Sequence, residues 1–235
     1  SLRLRSVWHA AGVLADGTLK QQNAASLAHV MSPKAFGAVA LQQSSFGLPL
    51  RAYALFSSAA ALLGGAGQAN YSAANSSLDA LSSWRRSVGM AGVSVQWGPW
   101  AEVGMASGDA VSARMRASGF GFIGASAGLA VLRAAVLPHG PPIVAMLPVS
   151  WRRLLGSTAT APSLLSEFAP RQSDSVAPTA VTTGGPATAA LSLEAVSEMV
   201  RRTTGNAVDA DSPLMEAGLD SLGAVELRNE LQRAV

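Results

Sequence analysis

The spacing of Ser58, Tyr71 and Asn75 could bring three polar side chains together at one place, where they could protonate a carbonyl oxygen. Tyr71 and Asn75 are four residues apart, so on a helix they project from one face. Ser58 ends an apolar run that is followed by a glycine-containing stretch at 64–67. This stretch would reverse the direction of the chain and place Ser58 beside Tyr71. A phenol with a pKa of about 10 is a weak acid–base catalyst at neutral pH, and a nearby ammonium group favours its ionised form. Lys34 is the best candidate for that ammonium, because Lys20 is the only other lysine.

Ser221 has the second arrangement that suggests chemistry. It lies in the sequence GLDSL at 218–222, where Asp220 or Ser221 is predicted to cap a helix with apolar contacts from Leu222, Val225, Leu227 and Leu231. A hydroxyl at a helix N-terminus is exposed, and the helix dipole favours an attached phosphate. Taken alone, the tripeptide Asp220-Ser221-Leu222 is usually an ordinary helix cap.

The elements that must position these side chains alternate between strands and helices. Short apolar runs predict buried β-strands at 6–9, 52–57, 93–97 and 143–146. Longer segments with helical spacing lie between them, at about 24–46, 67–88 and 126–137. This alternation predicts an α/β fold with a doubly wound, Rossmann-like parallel sheet. Ligands of such sheets bind beyond the carboxyl ends of the strands, where Ser58 would lie.

The segment 98–125 differs from the rest of this α/β region. Six glycines interrupt it around a short predicted helix near 109–117. A mobile lid and an ordinary surface loop explain this composition equally well.

The composition changes after the α/β region. We expect a first domain at 1–156, a flexible Ser/Thr/Ala/Gly/Pro linker at 157–190, and a small helical domain at 191–235. Leu193, Val196, Met199 and Val200 mark an amphipathic helix that ends near Arg202. Two helices form a poor independent core, so we expect the second domain to be cut short at its C-terminus.

Composition narrows the classes of function. The 235 residues are 49% hydrophobic and carry a net charge of only +3, and their basic residues form no cluster larger than the doublets Arg85-Arg86, Arg152-Arg153 and Arg201-Arg202, which disfavours a nucleic-acid partner. The absence of cysteine excludes disulfides and thiolate metal sites, and the three separated histidines predict no metal site. No apolar run reaches the roughly 18 residues of a membrane span, and no signal peptide is recognisable. We therefore expect a cytoplasmic protein with no membrane partner.

Five segments resemble the ketoreductase domain of modular polyketide synthases, a branch of the short-chain dehydrogenase/reductase superfamily. They are HAAGVLADG at 9–17, SPK at 32–34, LFSS at 55–58, GQANYSAAN at 67–75 and WGPW at 97–100. The resemblance covers about residues 1–155. It implies that Tyr71 donates a proton to a ketone oxygen and that Ser58 hydrogen-bonds that oxygen. It also implies that Lys34 tunes Tyr71 and relays the proton, while Asn75 holds a relay water or orients Lys34.

The resemblance also implies a cofactor. The wider superfamily usually places lysine four residues after the tyrosine, where this chain has Asn75, and the upstream Lys34 matches the synthase branch. NADPH would supply hydride and bind near Ala10, Ala11, Gly12, Trp97, Gly98 and Pro99. No glycine-rich phosphate loop begins a βα unit here, so we expect this chain to be the catalytic part of a reductase whose nucleotide-binding part lies upstream.

The resemblance extends to the stereochemistry of the product. Leu14, Ala15 and Asp16 stand where one stereochemical class of the family has Leu-x-Asp, and Leu63 stands where the opposite class has tryptophan. Asp16 is therefore a candidate stereocontrol residue, and the implied product is a D-configured β-hydroxyl. The alternative is that Asp16 caps a helix near Thr18.

The C-terminal sequence PLMEAGLDSLGAVELRNEL at 213–231 resembles the acyl carrier domain of polyketide and fatty acid synthases. This implies that Ser221 carries 4′-phosphopantetheine and presents an acyl thioester substrate to Tyr71. Asp220 and Glu226 would lie near the surface that partner domains recognise. The implied partners are the ketosynthase and acyltransferase domains and a phosphopantetheinyl transferase.

Together these features predict a polyketide synthase segment, an NADPH-dependent β-ketoacyl reductase joined to a carrier domain. One alternative is a catalytically silent reductase remnant that retains only the carrier function. A free-standing alcohol dehydrogenase is a second alternative, which the linker and the carrier motif disfavour. The complete set of Lys34, Ser58, Tyr71 and Asn75 favours an active reductase, since a remnant has no need of all four.

Overall fold

The computed structural model describes residues 4–101, 109–155, 161–169 and 192–204, together with Gly223, Leu227, Glu230 and Leu231. Its sheet has four strands in the order β1-β2-β3-β4, and every pair is parallel. The strands are β1 Ser6–His9, β2 Ala52–Ser58, β3 Val93–Trp97 and β4 Ile143–Met146. The predicted α/β fold with a parallel sheet is confirmed, and each strand lies within one residue of its predicted position.

Eight α-helices accompany the strands in the described part of the chain. They are α1 Ala24–Met31, α2 Gly37–Ser44, α3 Ala60–Leu63, α4 Ala69–Ser87, α5 Asp109–Ala117, α6 Ala125–Ala135, α7 Trp151–Leu154 and α8 Leu193–Thr204. Of these, α4 and α6 pack against the sheet. A π-helical segment, Ser32–Phe36, separates α1 from α2, and a 3-10 helix spans Ser163–Phe168. The single helix expected over 24–46 is therefore interrupted in its middle.

Alternate residues of the strands build two cores on opposite faces of the sheet. On one face, Tyr53 and Leu55 of β2 pack with Ala38 of α2 and Leu78 of α4. On the other face, Ala54 of β2 packs in a second cluster with Val95 and Trp97 of β3, Ile123, and Ala135 of α6. The coverage of both faces makes the sheet doubly wound, as predicted, and leaves the carboxyl ends of the strands for a site.

Contacts divide the chain into two compact units, one of residues 1–107 and 122–148, the other of 108–121 and 149–235. In the second unit an isolated antiparallel bridge joins Phe120 to Val149, and the Ser150 N–H donates to the Gly119 carbonyl at 2.8 Å. Gly119 has φ +93°, and a Cβ there would lie 2.8 Å from Arg153 Cβ, so this turn requires glycine. The domain boundaries expected from composition stay a prediction.

The second unit also contains a small apolar cluster around α8. Val200 and Leu227 are buried, with Val196, Met199 and Leu231 packed against them. These contacts match the apolar face predicted for α8, except at Leu193, which is 68% exposed because it begins the helix. Within the described residues no helix is long and apolar enough to span a membrane, and no group of three acidic or histidine residues could hold a metal ion.

Candidate active site

Lys34 lies at the centre of the π-helical segment. Pro33 has no N–H to donate, so a regular α-helical bond is lost at this point. The turn widens instead, and the Gly37 N–H donates to the Ser32 carbonyl across five residues. π turns within helices occur frequently at functional sites. Here the segment packs against α4, and Lys34 is only 3% exposed.

His9, the last residue of β1, fixes this segment from the sheet side. Its Nε2 atom lies 3.0 Å from the Lys34 carbonyl oxygen, and its side chain is buried. A Cβ at position 37 would lie 3.3 Å from His9 Cε1, so Gly37 leaves room for the imidazole. Sequence reasoning considered His9 only as a metal ligand and missed this positioning contact.

The Lys34 ammonium is held beside the Tyr71 ring. Nζ donates to the Phe56 carbonyl of β2 at 2.9 Å and lies 5.3 Å from the centroid of the Tyr71 ring. Gly12 leaves space for it, since a Cβ there would lie 2.8 Å from Lys34 Cε. Burial lowers the pKa of Lys34 to about 8, and the charge of Asp79 acts in the opposite direction.

Tyr71 and Asn75 lie on the buried face of α4, as their spacing predicted. Asn75 is fully buried, and its Nδ2 donates to the Tyr71 carbonyl at 2.8 Å. The buried Asn75 Oδ1 has no hydrogen-bond partner among the described residues. Because a buried amide oxygen normally has a donor, Asn75 Oδ1 is suited to accept a hydrogen bond from a molecule that enters the site.

Ser58 ends β2, and its Oγ accepts a hydrogen bond from the Ala60 N–H at 3.2 Å. It lies near enough to Tyr71 to influence the phenol: the polar side chains of Ser58 and Asn75 lower the pKa of Tyr71. Burial has the larger, opposite effect, so the pKa of Tyr71 is raised above its ordinary value. The net direction is opposite to the effect expected of a lysine charge, because desolvation of the phenolate dominates, and the tuning of Tyr71 by Lys34 stays a prediction. The phenol stays protonated at neutral pH, which suits a proton donor.

A hydrogen-bonded loop at 15–17 lies against the N-terminal end of α4. Gln68 Nε2 donates to Asp16 Oδ2 at 3.0 Å, and the Gly17 N–H donates to the Gly67 carbonyl at 2.9 Å. Asp16 is exposed and caps no helix, since the N-cap of α1 is Asn23. The alternative prediction of a cap near Thr18 is therefore wrong.

Asn70 is a second residue that sequence reasoning missed. It is 4% exposed, its Nδ2 donates to the Ala15 carbonyl at 2.8 Å, and its Oδ1 accepts from the Tyr71 N–H at 2.7 Å. One amide side chain thus joins the Asp16 loop to the residue that bears the phenol. Its position directly before Tyr71 was the only signal in the sequence.

The residues expected near a nicotinamide cofactor follow β1 and β3, the two strands beside β2. Ala10 and Ala11 are exposed at the carboxyl end of β1, and Gly12 is half-buried. The Trp97 side chain instead lies in the apolar core, 5.7 Å from the Phe56 ring and 4.9 Å from the Trp100 ring between centroids. Any contact of Trp97 with a cofactor would therefore use its backbone. Gly98 and Pro99 continue from it, and the Gly98 N–H donates to the Met146 carbonyl at 2.8 Å.

The remaining predictions concern other parts of the chain. The short helix near 109–117 is present as α5, while its role as a lid stays a prediction. Ser221, with Asp220 and Glu226, lies outside the described residues.

The doubly wound parallel sheet with polar side chains at its carboxyl edge is a Rossmann-like fold of the short-chain dehydrogenase/reductase type. Two protein families match separate parts of the chain. The KR domain family matches residues 2–102, and the phosphopantetheine attachment site family matches residues 194–235.

Relatives that align along nearly the whole chain are polyketide synthases. The chain is 38% identical over 254 residues to polyketide synthase GfsA of Streptomyces halstedii, covering 98% of this chain and 3% of that protein. It is 36% identical over 248 residues to the spectinabilin polyketide synthase system protein NorB of Streptomyces orinoci, covering 97% of this chain and 11% of that protein. The chain thus spans a small part of the length of these relatives.

Solved structures of polyketide synthase ketoreductases share the fold. An A-type ketoreductase from a modular polyketide synthase matches with a TM-score of 0.65 and 35% identity, over 69% of this chain and 34% of that one. A C2-type ketoreductase matches with a TM-score of 0.62 and 32% identity, over 70% of this chain and 36% of that one. The chain therefore combines a ketoreductase-type domain with a phosphopantetheine attachment domain that follows it, and its homologues are modular polyketide synthases.

Proposed function

We propose that this chain reduces a β-ketoacyl thioester to a β-hydroxyacyl thioester, with NADPH as the hydride donor and Ser221 as the attachment site of the 4′-phosphopantetheine arm. The observation that carries the proposal is the buried Lys34, with Nζ 5.3 Å from the Tyr71 ring centroid at the carboxyl edge of the sheet. A lysine that is both buried and beside a phenol is costly to the fold, and proton transfer supplies a reason for it.

Tyr71 is the proton donor in this proposal. Its raised pKa keeps the phenol protonated at neutral pH, so it can give a proton to the ketone oxygen as negative charge develops there. The Ser58 hydroxyl donates a hydrogen bond to the same oxygen and stabilises the charge.

Lys34 restores the proton that Tyr71 gives away. A relay group works best when its pKa lies near the operating pH, and burial lowers the pKa of Lys34 to about 8. Asn75 Oδ1 lacks a hydrogen-bond partner among the described residues. It would accept a hydrogen bond from a relay water that connects Lys34 with solvent. The four residues therefore have separate tasks. Tyr71 donates the proton, and Ser58 stabilises the charge on the ketone oxygen. Lys34 returns a proton to Tyr71, and Asn75 orients the relay.

NADPH would supply the hydride when bound, held at the loop after β1 and at the turn after β3. Gly12 fits this task, because the missing side chain leaves space beside Lys34, and the exposed Ala10 and Ala11 present backbone groups. β1 pairs only with β2 among the described residues, and Trp8 on it is 49% exposed. We place the nucleotide-binding strands of the complete reductase on this free edge.

The carrier and its partners complete the proposal. Ser221 would receive the phosphopantetheine arm from a phosphopantetheinyl transferase in the cytoplasm. The acyl thioester would reach it from ketosynthase and acyltransferase domains, as the length of the relatives suggests.

The test is NADPH oxidation, followed by near-ultraviolet absorbance with a β-ketoacyl thioester, in a polypeptide that includes the nucleotide-binding part. Tyr71→Phe should reduce the rate by at least 1,000-fold, on the order of the effect of removing general acid–base and positioning chemistry together. The matched control is Tyr53→Phe, the only other tyrosine, which loses a hydrogen bond to the Ala38 carbonyl and should retain activity. A folded, NADPH-binding wild type without turnover would refute ketoreduction and favour a silent remnant with carrier function.

A further inference from the structure

Two arginine doublets that are far apart in the sequence come together in the second compact unit. Arg152 and Arg153 belong to α7, and Arg201 and Arg202 lie in the last turn of α8. Both doublets line one cavity of about 600 Å³, together with Arg116 of α5. The remaining residues that line this arginine cavity are Ala113, Ala117 and Glu198. Three separate helices thus contribute arginine to one concave surface.

The turn after α5 holds α7 in place. The Ser150 N–H donates to the Gly119 carbonyl at 2.8 Å. A Cβ at position 119 would lie 2.8 Å from Arg153 Cβ, so glycine permits the close approach of the two segments. The rings of Trp151 and Phe168 are stacked, with their centroids 4.4 Å apart. Backbone contacts and ring stacking therefore fix the segment that bears the first doublet.

The second doublet is carried by α8, which contacts α5 directly. Arg201 Nε and Nη2 donate to the two carboxylate oxygens of Glu198 at 2.7 and 2.5 Å. Arg202 Nη2 lies 3.6 Å from Glu230 Oε1. Both arginines therefore have an acidic partner, although exposed ion pairs of this kind stabilise a fold only slightly.

The first doublet has no such partner. Among the described residues, no carboxylate lies within salt-bridge distance of Arg152 or Arg153, and both residues are exposed. Glu198 supplies the one carboxylate of the described lining against five arginines. The cavity thus has a net charge of +4, which exceeds the +3 of the whole chain. Positive charges held this close repel one another, and a bound anion would relieve that repulsion.

The shape and the donor groups of the arginine cavity indicate a small ligand with phosphate groups. Its volume of about 600 Å³ lies within the roughly 300–1,000 Å³ of small-molecule sites, and it exceeds what one phosphate group fills. A guanidinium group binds phosphate through two parallel hydrogen bonds, so two doublets suit two or more phosphate groups. A nucleic acid would instead require a basic patch or stripe that extends along a surface.

We propose that the arginine cavity of α5, α7 and α8 is a binding site for a nucleotide-sized ligand that carries two or more phosphate groups. Coenzyme A and NADPH both have this chemistry, because each contains a diphosphate and a further phosphate group on a ribose. The inference does not depend on the proposed reductase activity, since no residue of the arginine cavity belongs to the candidate active site.

The test is isothermal titration calorimetry of the 235-residue chain with coenzyme A, NADPH and inorganic diphosphate as separate probes. At least one probe should saturate a single site, and the double variant Arg152→Gln, Arg153→Gln should weaken its binding at least ~10-fold, on the order of the loss of one charged hydrogen bond or more. Glu198→Gln should tighten binding, because it removes the carboxylate that competes for Arg201. The matched control is Arg133→Gln, at an exposed arginine of α6 in the first compact unit, which should leave the affinity unchanged.

The three probes distinguish the possible sources of the phosphate groups. Sensitivity of coenzyme A or NADPH binding to the double variant supports the site and identifies the nucleotide, and equal binding of diphosphate shows that the phosphate groups suffice. Failure of all three probes to saturate at millimolar concentration overturns the inference. It is also overturned if the binding of every probe is unchanged in the double variant, or if Arg133→Gln weakens binding equally.

Two further measurements keep the inference open to refutation. If the double variant does not fold, as judged by circular dichroism, Glu198→Gln still decides, and unchanged or weaker binding in it overturns the inference. A DNA duplex that binds more tightly than either nucleotide, with the same sensitivity to the arginine doublets, would indicate a nucleic-acid surface and would also overturn it.

Discussion

Replacing Lys34 with methionine should abolish reduction and at the same time stabilise the fold. Lys34 is 3% exposed, so folding transfers its charged form out of water. Methionine has a similar length and fills irregular space without a charge. The same burial that makes Lys34 suitable as a proton relay is therefore a cost to stability, as at many functional sites.

The magnitude follows from the change in pKa. Burial lowers the pKa of Lys34 from 10.5 to about 8, and each pH unit corresponds to about 1.4 kcal/mol, which gives a penalty of about 3 kcal/mol. Because the unfolded lysine binds its proton more tightly, the penalty is fully present below about pH 8 and disappears as pH rises to 10.5. The hydrogen bond from Lys34 Nζ to the Phe56 carbonyl, which Lys34→Met removes, stabilises the wild type by about 1 kcal/mol. The expected net gain for Lys34→Met is about 2 kcal/mol at pH 7.

The assay is urea denaturation at pH 7 and pH 10.5, followed by tryptophan fluorescence, to which the core residue Trp97 contributes. The difference in unfolding free energy between Lys34→Met and the wild type should fall by about 3 kcal/mol between the two pH values. Lys20→Met, at the exposed second lysine, should show no such dependence. A stability difference that is the same at both pH values would refute the reasoning, because the penalty would then not come from the charge.

Three further substitutions test the surroundings of the site. Gly12→Ala places a Cβ 2.8 Å from Lys34 Cε, so it should displace the ammonium and reduce kcat at least 10-fold; a wild-type kcat would contradict this. Asn70→Ala removes two buried hydrogen bonds and should destabilise the fold by about 1–3 kcal/mol in urea denaturation; a change below 0.5 kcal/mol, about the level of an ordinary surface substitution, would show that the loop is held by other contacts. Asp16→Ala removes a carboxylate tied to the turn before the phenol and should increase the minor hydroxyl epimer in the product, measured by chiral chromatography. An unchanged epimer ratio would remove Asp16 from stereocontrol.

The strands were predictable because each is a short run rich in apolar or β-branched residues, and glycine or proline bounds β3 and β4 on both sides. β3, with its five residues all buried, shows why the parallel arrangement could be expected. The interruption of the helix at 32–36 was not predictable, because apolar spacing in so short a segment does not separate a π turn from an α-helical one. Pro33 was the available signal, since it cannot donate the regular hydrogen bond.

The proximity of the candidate site residues was predictable, and their electrostatics were not. Tyr71, Asn75 and Lys34 do come together, as spacing and resemblance indicated. The direction of the Tyr71 pKa was missed because sequence alone does not show how deeply a phenol is buried. The burial of Asp79, whose charge acts on Lys34, was missed although it lies four residues after Asn75, because an acidic residue in a helix is normally exposed to solvent.

The placement of the lysine has a consequence for the control of this site. Lys34 and Tyr71 lie on different helical segments, so their separation is set by packing of the π segment against α4 rather than by the geometry of one helix. That packing depends on the hydrogen bond between His9 and the Lys34 carbonyl and on the space that Gly37 leaves for the imidazole. Substitutions at either position would change the proton relay without contacting substrate. The proposed site therefore includes residues that lie behind Lys34, and we expect its activity to change with substitutions at positions that look purely structural.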